Sequence, residues 1–242
     1  MTEKSIHFKK APIVEAVLAF EIETQPAELL PHLADFAAQT GDSYGERSEV
    51  RAHQVKFGAE GVSDADSRVL GYRFRSKDNR HVVQVRLNGF AFSRLNPYDC
   101  WEGFRDEARR LWDLYRRIVP FGAIQVFGTR YINQLLVPSA QPIDRYLKVY
   151  PYIADELPQQ GPLAFVRLQL FIPEPQGELT IQVQTVRSGV VGKDAYILDN
   201  DLRFPGVGLS EEAIWTRLEE ARKLKNAYFL AEITEEMKGL IS

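Results

Sequence analysis

One cysteine, Cys100, stands in the 242 residues, so an internal disulfide is excluded and the residue makes no metal site by itself. The four histidines, His7, His32, His53 and His81, are scattered, and no His-x₃-His or Cys-x₂-Cys spacing occurs. The ligand patterns of zinc sites are therefore missing and no metal is expected. No histidine can be placed beside Cys100 as a base, which leaves it a structural residue. Gly58, Gly61, Gly189, Gly192, Gly206 and Gly208 never fall into a phosphate-cradling spacing; they read as turns, and no cofactor is expected. No apolar run approaches the ~18 residues of a membrane helix. Residues 1–10 lack the apolar stretch of a secretory leader. The expectation is a soluble, cytoplasmic protein with no membrane partner. A formal net charge of −3 argues against a general polyanion binder.

What is present is the balance of a globular protein, 45% hydrophobic and 26% charged. Residues 68–137 read as strand, turn, long strand, long helix and long strand. Asn96 can cap the helix and Pro97 fits its first position. Trp101, Phe104, Ala108, Leu111, Tyr115 and Ile118 then recur at steps of three and four, one apolar stripe that must be buried. The opposite face carries Arg109, Arg110, Arg116 and Arg117, a weak candidate for nucleic acid because Asp106 and Asp113 interrupt it.

Around this segment, Val14, Ala16, Leu18, Phe20 and Ile22 keep the period of two of a half-buried strand, with Glu15 among apolar neighbours on the other parity. A helix follows that Pro31 shortens or splits. Residues 46–58 read as a strand, and 61–67 as an exposed loop tip. Lys77-Asp78-Asn79 supplies a hairpin turn into the strand from His81. In that strand the apolar parity switches at Gly89, which predicts a β-bulge. Residues 123–137 carry apolar side chains on both parities and read as a central strand. Residues 142–156 read as a second short helix, interrupted by Pro151, and 163–172, 179–186 and 194–198 as strands. Ser210 caps a last helix with Ile214, Leu218, Ala221, Leu224 and Tyr228 on its buried stripe.

The order of elements repeats around Pro120. The expected fold is α+β: one domain over residues 1–242, its antiparallel sheet built from two pseudo-equivalent β-α-β-β-β-α halves, about residues 10–119 and 120–242, with two long amphipathic helices on one side. By analogy this arrangement resembles the saddle of the TATA-binding-protein fold and, more loosely, helix-grip folds.

Polar residues inside strands form the one constellation that stands out: Glu15, Arg73, Gln84, Arg130, Asn133 and Gln134. They can face water, tie the halves together through a buried ion pair, or line a ligand site. Glu15 and Arg130, in the first strands of the two halves, are expected to be neighbours and to pair, because a buried guanidinium needs a carboxylate. If they prove exposed on the floor of a cleft instead, they become the leading ligand-binding candidates.

Pro12-Ile13-Val14-Glu15-Ala16-Val17, Gly71-Tyr72-Arg73-Phe74, Leu95-Asn96-Pro97-Tyr98 with Trp101-Glu102 and Phe104, Arg130-Tyr131-Ile132-Asn133 and Ile233-Thr234 together resemble a sporadically distributed, uncharacterised family of bacterial and archaeal proteins of about this length. The resemblance covers nearly the whole chain and brings no established activity. The family's patchy distribution implies genes that move with mobile or defence-related loci. The function expected first is thus a non-enzymatic binding or regulatory protein, antitoxin-like or defence-associated, with a protein partner encoded nearby or through self-association. The alternative is a small-ligand protein or enzyme with a pocket around Arg130, Asn133 and Glu15; the third is the nucleic-acid binder. A deep pocket lined by the polar set favours the alternative, and a flat apolar patch favours the first.

Overall fold

The computed structural model of the chain describes residues 8, 10–58, 61–150, 154, 156–157 and 165–242. Strand β1, Ile13–Ile22, opens it. A broken helical run follows: a 3-10 turn at Ala27–Leu29, helix α1 at Leu30–Ala34 and a 3-10 stretch at Phe36–Thr40, with Pro31 inside the first turn of α1, where its missing N–H costs nothing. Strands β2 (Tyr44–Gly58), β3 (Gly61–Ser76), β4 (His81–Arg86) and β5 (Gly89–Leu95) form a meander leading into helix α2, Trp101–Ile118. Strand β6 (Ile124–Pro138) precedes β7 (Phe165–Ile172), β8 (Gly177–Val186) and β9 (Lys193–Pro205), and the chain closes with helices α3 (Glu211–Glu232) and α4 (Glu235–Ile241).

Among the described residues these nine strands make one sheet in the order β2-β3-β4-β5-β1-β6-β9-β8-β7. Every neighbouring pair in it is antiparallel. The two longer helices cover one face. Phe20, in the middle strand β1, sets its ring 4.4 Å from Trp112 of α2 and 5.3 Å from Trp215 of α3, so one aromatic of the sheet packs under both helices. Ala16, Leu18 and Phe20 of β1 are fully buried there, together with Phe90 and Phe92 of β5, Phe127 and Tyr131 of β6 and Leu202 of β9. The alternate residues of the same strands point to the other face, which no helix covers among the described residues. No described helix is long and apolar enough to cross a membrane.

The two-half pattern expected from the sequence is not what the chain forms. Four strands, not three, stand between the first helical run and α2; a single described 3-10 turn, Ile143–Arg145, follows β6; and α4 follows α3. The extra strand comes from residues 81–95, which fold as a hairpin. Arg86 opposes Gly89 across a turn of Leu87 and Asn88, and the parity switch read as a β-bulge is the chain reversing. Leu87 disguises that turn because it is itself buried, its N–H donating to the Leu70 carbonyl and its carbonyl accepting from the Gln25 N–H. Residues 61–67, expected as a loop, are the first part of β3. Helix α2 begins at Trp101 with Cys100 at its cap, so Asn96 and Pro97 stand before the helix, joined by a cis peptide. Ser210 does cap α3, its hydroxyl accepting from the Ala213 N–H. Of the second short helix, Pro151 and Tyr152 lie outside the described residues, as do the first two residues of the strand expected at 163.

Candidate binding cleft on the open sheet face

Directly opposed residues of antiparallel strands share a face, so the pairing registers give the map of the open side. At its centre Ala91 of β5, Ala19 of β1 and Gly128 of β6 stand in one cross-strand row. Two methyl groups and a hydrogen leave a hollow there. Gly128 has no substitute in this backbone, since a Cβ on it would come 2.2 Å from the Leu202 carbonyl oxygen of β9. Longer side chains stand around this floor, and the result is a cleft of about 390 Å³. Its lining includes Glu15, Arg73, Gln84 and Arg130 from the sequence-derived set, joined by Glu21, Arg86, Ser93, Asp201 and Arg203.

Two ion pairs brace the walls. Arg130 is held by Asp199 through a fork, Nε to Oδ1 at 2.8 Å and Nη2 to Oδ2 at 2.5 Å. The Asp199 side chain is 7% exposed and that of Arg130 42%. The hydrogen bonds from Asp199 raise the Arg130 pKa, burial opposes them, and Asp201 and Glu15 add smaller attractions. Glu15 therefore acts on Arg130 through its field and makes no hydrogen bond or ion pair with it. The reason is register: Ile132 is opposed by Glu15 on one side and by Asp199 on the other, so Arg130, two residues along, has an acid on either diagonal and forks onto Asp199. The expected Glu15–Arg130 pair is not made, and Arg130 is not buried. In the second brace Arg203 Nη2 donates to Glu21 Oε1 at 2.5 Å. Arg203 is directly opposite Gly128, and the missing side chain there lets it reach across β6 to β1.

Other polar groups of the cleft have fewer partners among the described residues. Burial raises the Asp201 pKa while Arg203 and Arg130 pull it down. Arg86 has its Nε shut off from solvent and without a hydrogen-bond partner among the described residues. Burial lowers its pKa, against the attraction of Glu21. A second hollow of about 480 Å³ adjoins the first, sharing Val126, Asp201 and Arg203 and extending to Arg167, Gln169 and Phe171 of β7.

The remaining sequence candidates lie elsewhere. Asn133 is on the helix-covered face, buried, with Nδ2 donating to the Leu198 carbonyl at 3.2 Å. Gln134 is half-buried, on the parity of Arg130 but outside the cleft lining. The arginines of α2 are on the helix side of the sheet. Arg109 pairs with Glu212 of α3 at 2.7 Å, Arg116 with Glu211 of α3, and Arg110 with Glu107 one turn away at 2.7 Å. Arg117 is exposed near the end of α2. Also on the covered face, Asn200 Nδ2 donates to Glu232 Oε2 at 2.7 Å, and burial pushes the Glu232 carboxyl up to about 7. The Lys225 ammonium sits 3.9 Å from the centre of the Tyr131 ring.

No family model and no curated protein matches the chain.

Glu21, Arg86, Asp199, Asp201 and Arg203 escaped the sequence reading. Glu21 continues the parity of Glu15 in β1, and Arg86 that of Gln84 in β4, so both were within reach of the same alternation. The other three lie in β9, which runs to Pro205, beyond the end at Leu198 expected from the sequence. Asp199-Asn200-Asp201 is turn-like composition that strands seldom contain. The signal that survives it is Leu198, Leu202 and Phe204 on one parity.

Proposed function

We propose that the protein is a binding protein whose open sheet face takes a charged, polar small ligand. The observation that carries this reading is the hollow over Ala19, Ala91 and Gly128, walled by guanidinium, carboxamide and carboxylate groups. Its volume of about 390 Å³ falls within the ~300–1,000 Å³ usual for small-molecule sites. A sheet face meant only for water has no need of three small residues in one row of its central strands. The site is braced before any ligand arrives, because Arg130 and Arg203 are already fixed by Asp199 and Glu21 and lose little freedom on binding. Dialysis of the purified protein against the small-molecule fraction of a cell lysate, read by mass spectrometry, should retain a charged metabolite. Ala91→Leu, which fills the floor, should not retain it. Equal retention by the variant contradicts the reading.

A second reading, self-association, is favoured by β7. This strand ends the sheet among the described residues and leaves Phe165 54%, Leu168 39%, Leu170 47% and Phe171 66% exposed. The opposite edge, β2, is protected by Glu46, Arg47, Glu49 and Arg51 and by three irregularities of register; β7 has none against β8. The occupant this edge fits is a second copy. In an antiparallel pair centred on Leu168, Leu168 meets Leu168, Val166 meets Leu170, Phe165 meets Phe171 and Arg167 meets Gln169, with no like charges opposed. Sedimentation should show a dimer that Leu168→Lys with Leu170→Lys converts to monomer. A wild-type monomer at all accessible concentrations contradicts it.

A further inference from the structure

Arg86 is the least compensated charge in the cleft. It lies on β4 directly between Gly71 of β3 and Gly89 of β5, so neither cross-strand neighbour offers a side chain to its guanidinium. The acid whose field reaches it, Glu21, already binds Arg203 at 2.5 Å. Among the described residues its Nε has no acceptor and no access to water. An arginine cannot shed its proton to escape this, and an unpaired, partly buried guanidinium is costly to keep. Beside it on the same face, Arg73 opposes Gln84, and Arg73 has no carboxylate within ion-pair distance among the described residues. Three donors thus line the β3–β4 end of the cleft, none of them in an ion pair among the described residues.

We propose that this end is an oxyanion subsite, in which the fork of Arg86, flanked by Arg73 and the Gln84 carboxamide, takes a phosphate or carboxylate group of the ligand. The inference rests on the cleft being the ligand site and specifies its chemistry. The terminal nitrogens of the guanidinium offer two N–H donors that match two oxygens of such a group, Nε itself being shut off from solvent. The rest of the ligand then extends over Ala91 and Ala19 toward Asp201, whose carboxylate has no hydrogen bond or ion pair among the described residues and offers an acceptor at the far end.

The test is thermal melting of the purified protein titrated with inorganic phosphate and, separately, with acetate, at constant ionic strength. Phosphate alone raising the midpoint saturably points to a phosphate ester, and acetate doing so as well points to a carboxylate. Arg86→Met should raise the half-saturating concentration by roughly tenfold or more, and Arg86→Lys by less, because a point charge replaces a fork. Without anion, Arg86→Met should melt no lower than the wild type, since it removes an unpaired guanidinium. Absence of a saturable effect in the wild type, or an effect that Arg86→Met leaves unchanged, overturns the subsite. Ala91→Leu separates the two claims: a metabolite lost on this substitution but indifferent to Arg86→Met leaves the cleft standing and removes the oxyanion.

Discussion

Arg130 shows how a diagonal of one residue decides a partner. Glu15 and Asp199 flank Ile132 on either side, and the arginine forks onto Asp199, which is almost wholly buried and fixed on β9. Glu15 stays in the cleft lining without an ion pair among the described residues. Asp199→Asn should therefore destabilise the fold by about 1–2 kcal/mol, the worth of a charge-assisted hydrogen bond reduced for the exposure of Arg130. Glu15→Gln should change stability by no more than about 0.5 kcal/mol, as surface substitutions do. Urea unfolding measures both. The reverse ranking would restore the Glu15 pairing that the sequence implied. That pairing was legible as a possibility because both residues sit on strands that are indeed neighbours; which diagonal wins depends on β9, whose acidic run concealed it.

At the scale of elements, α2 and α3 are joined by a row of charge and indole contacts. Trp112 Nε1 donates to Glu211 at 2.9 Å and Trp101 Nε1 to Glu219 at 2.8 Å, while Arg105 and Arg109 reach Glu219 and Glu212. These contacts are unequal. Arg109 and Glu212 are both well exposed, and Arg109→Ala should cost less than about 1 kcal/mol. Glu211→Ala strands the N–H of the fully buried Trp112 and should cost about 1–3 kcal/mol. Chemical unfolding of the two variants decides, and equal costs would mean that the indole finds another acceptor. The apolar stripes of both helices were plain in the sequence, because 3.6-residue periodicity is a local signal. That the arginine face of α2 meets the acids in the first half of α3 was not, since 95 to 114 residues separate the partners. The β4–β5 turn was hidden for a different reason, a buried leucine standing where turn chemistry is usually polar.

For the molecule as a whole, the antiparallel sheet with helices on one side could be read from alternation and amphipathicity, whereas strand count and order could not. The consequence for function lies in what the helices leave uncovered. The face away from them has small residues in its central row and paired charges around it, so the fold builds its core on one side and leaves a hollow on the other, the site to which we assign the proposed binding. The most direct measurement is backbone amide NMR of the wild type and of Ala91→Leu, each titrated with the small-molecule fraction of a lysate. The account predicts that the wild-type shifts cluster on β4, β5, β1, β6 and β9 around Ala19, Ala91 and Gly128, and that they vanish in the variant. Shifts confined to the helices or to β7, or a variant that responds like the wild type, would contradict it.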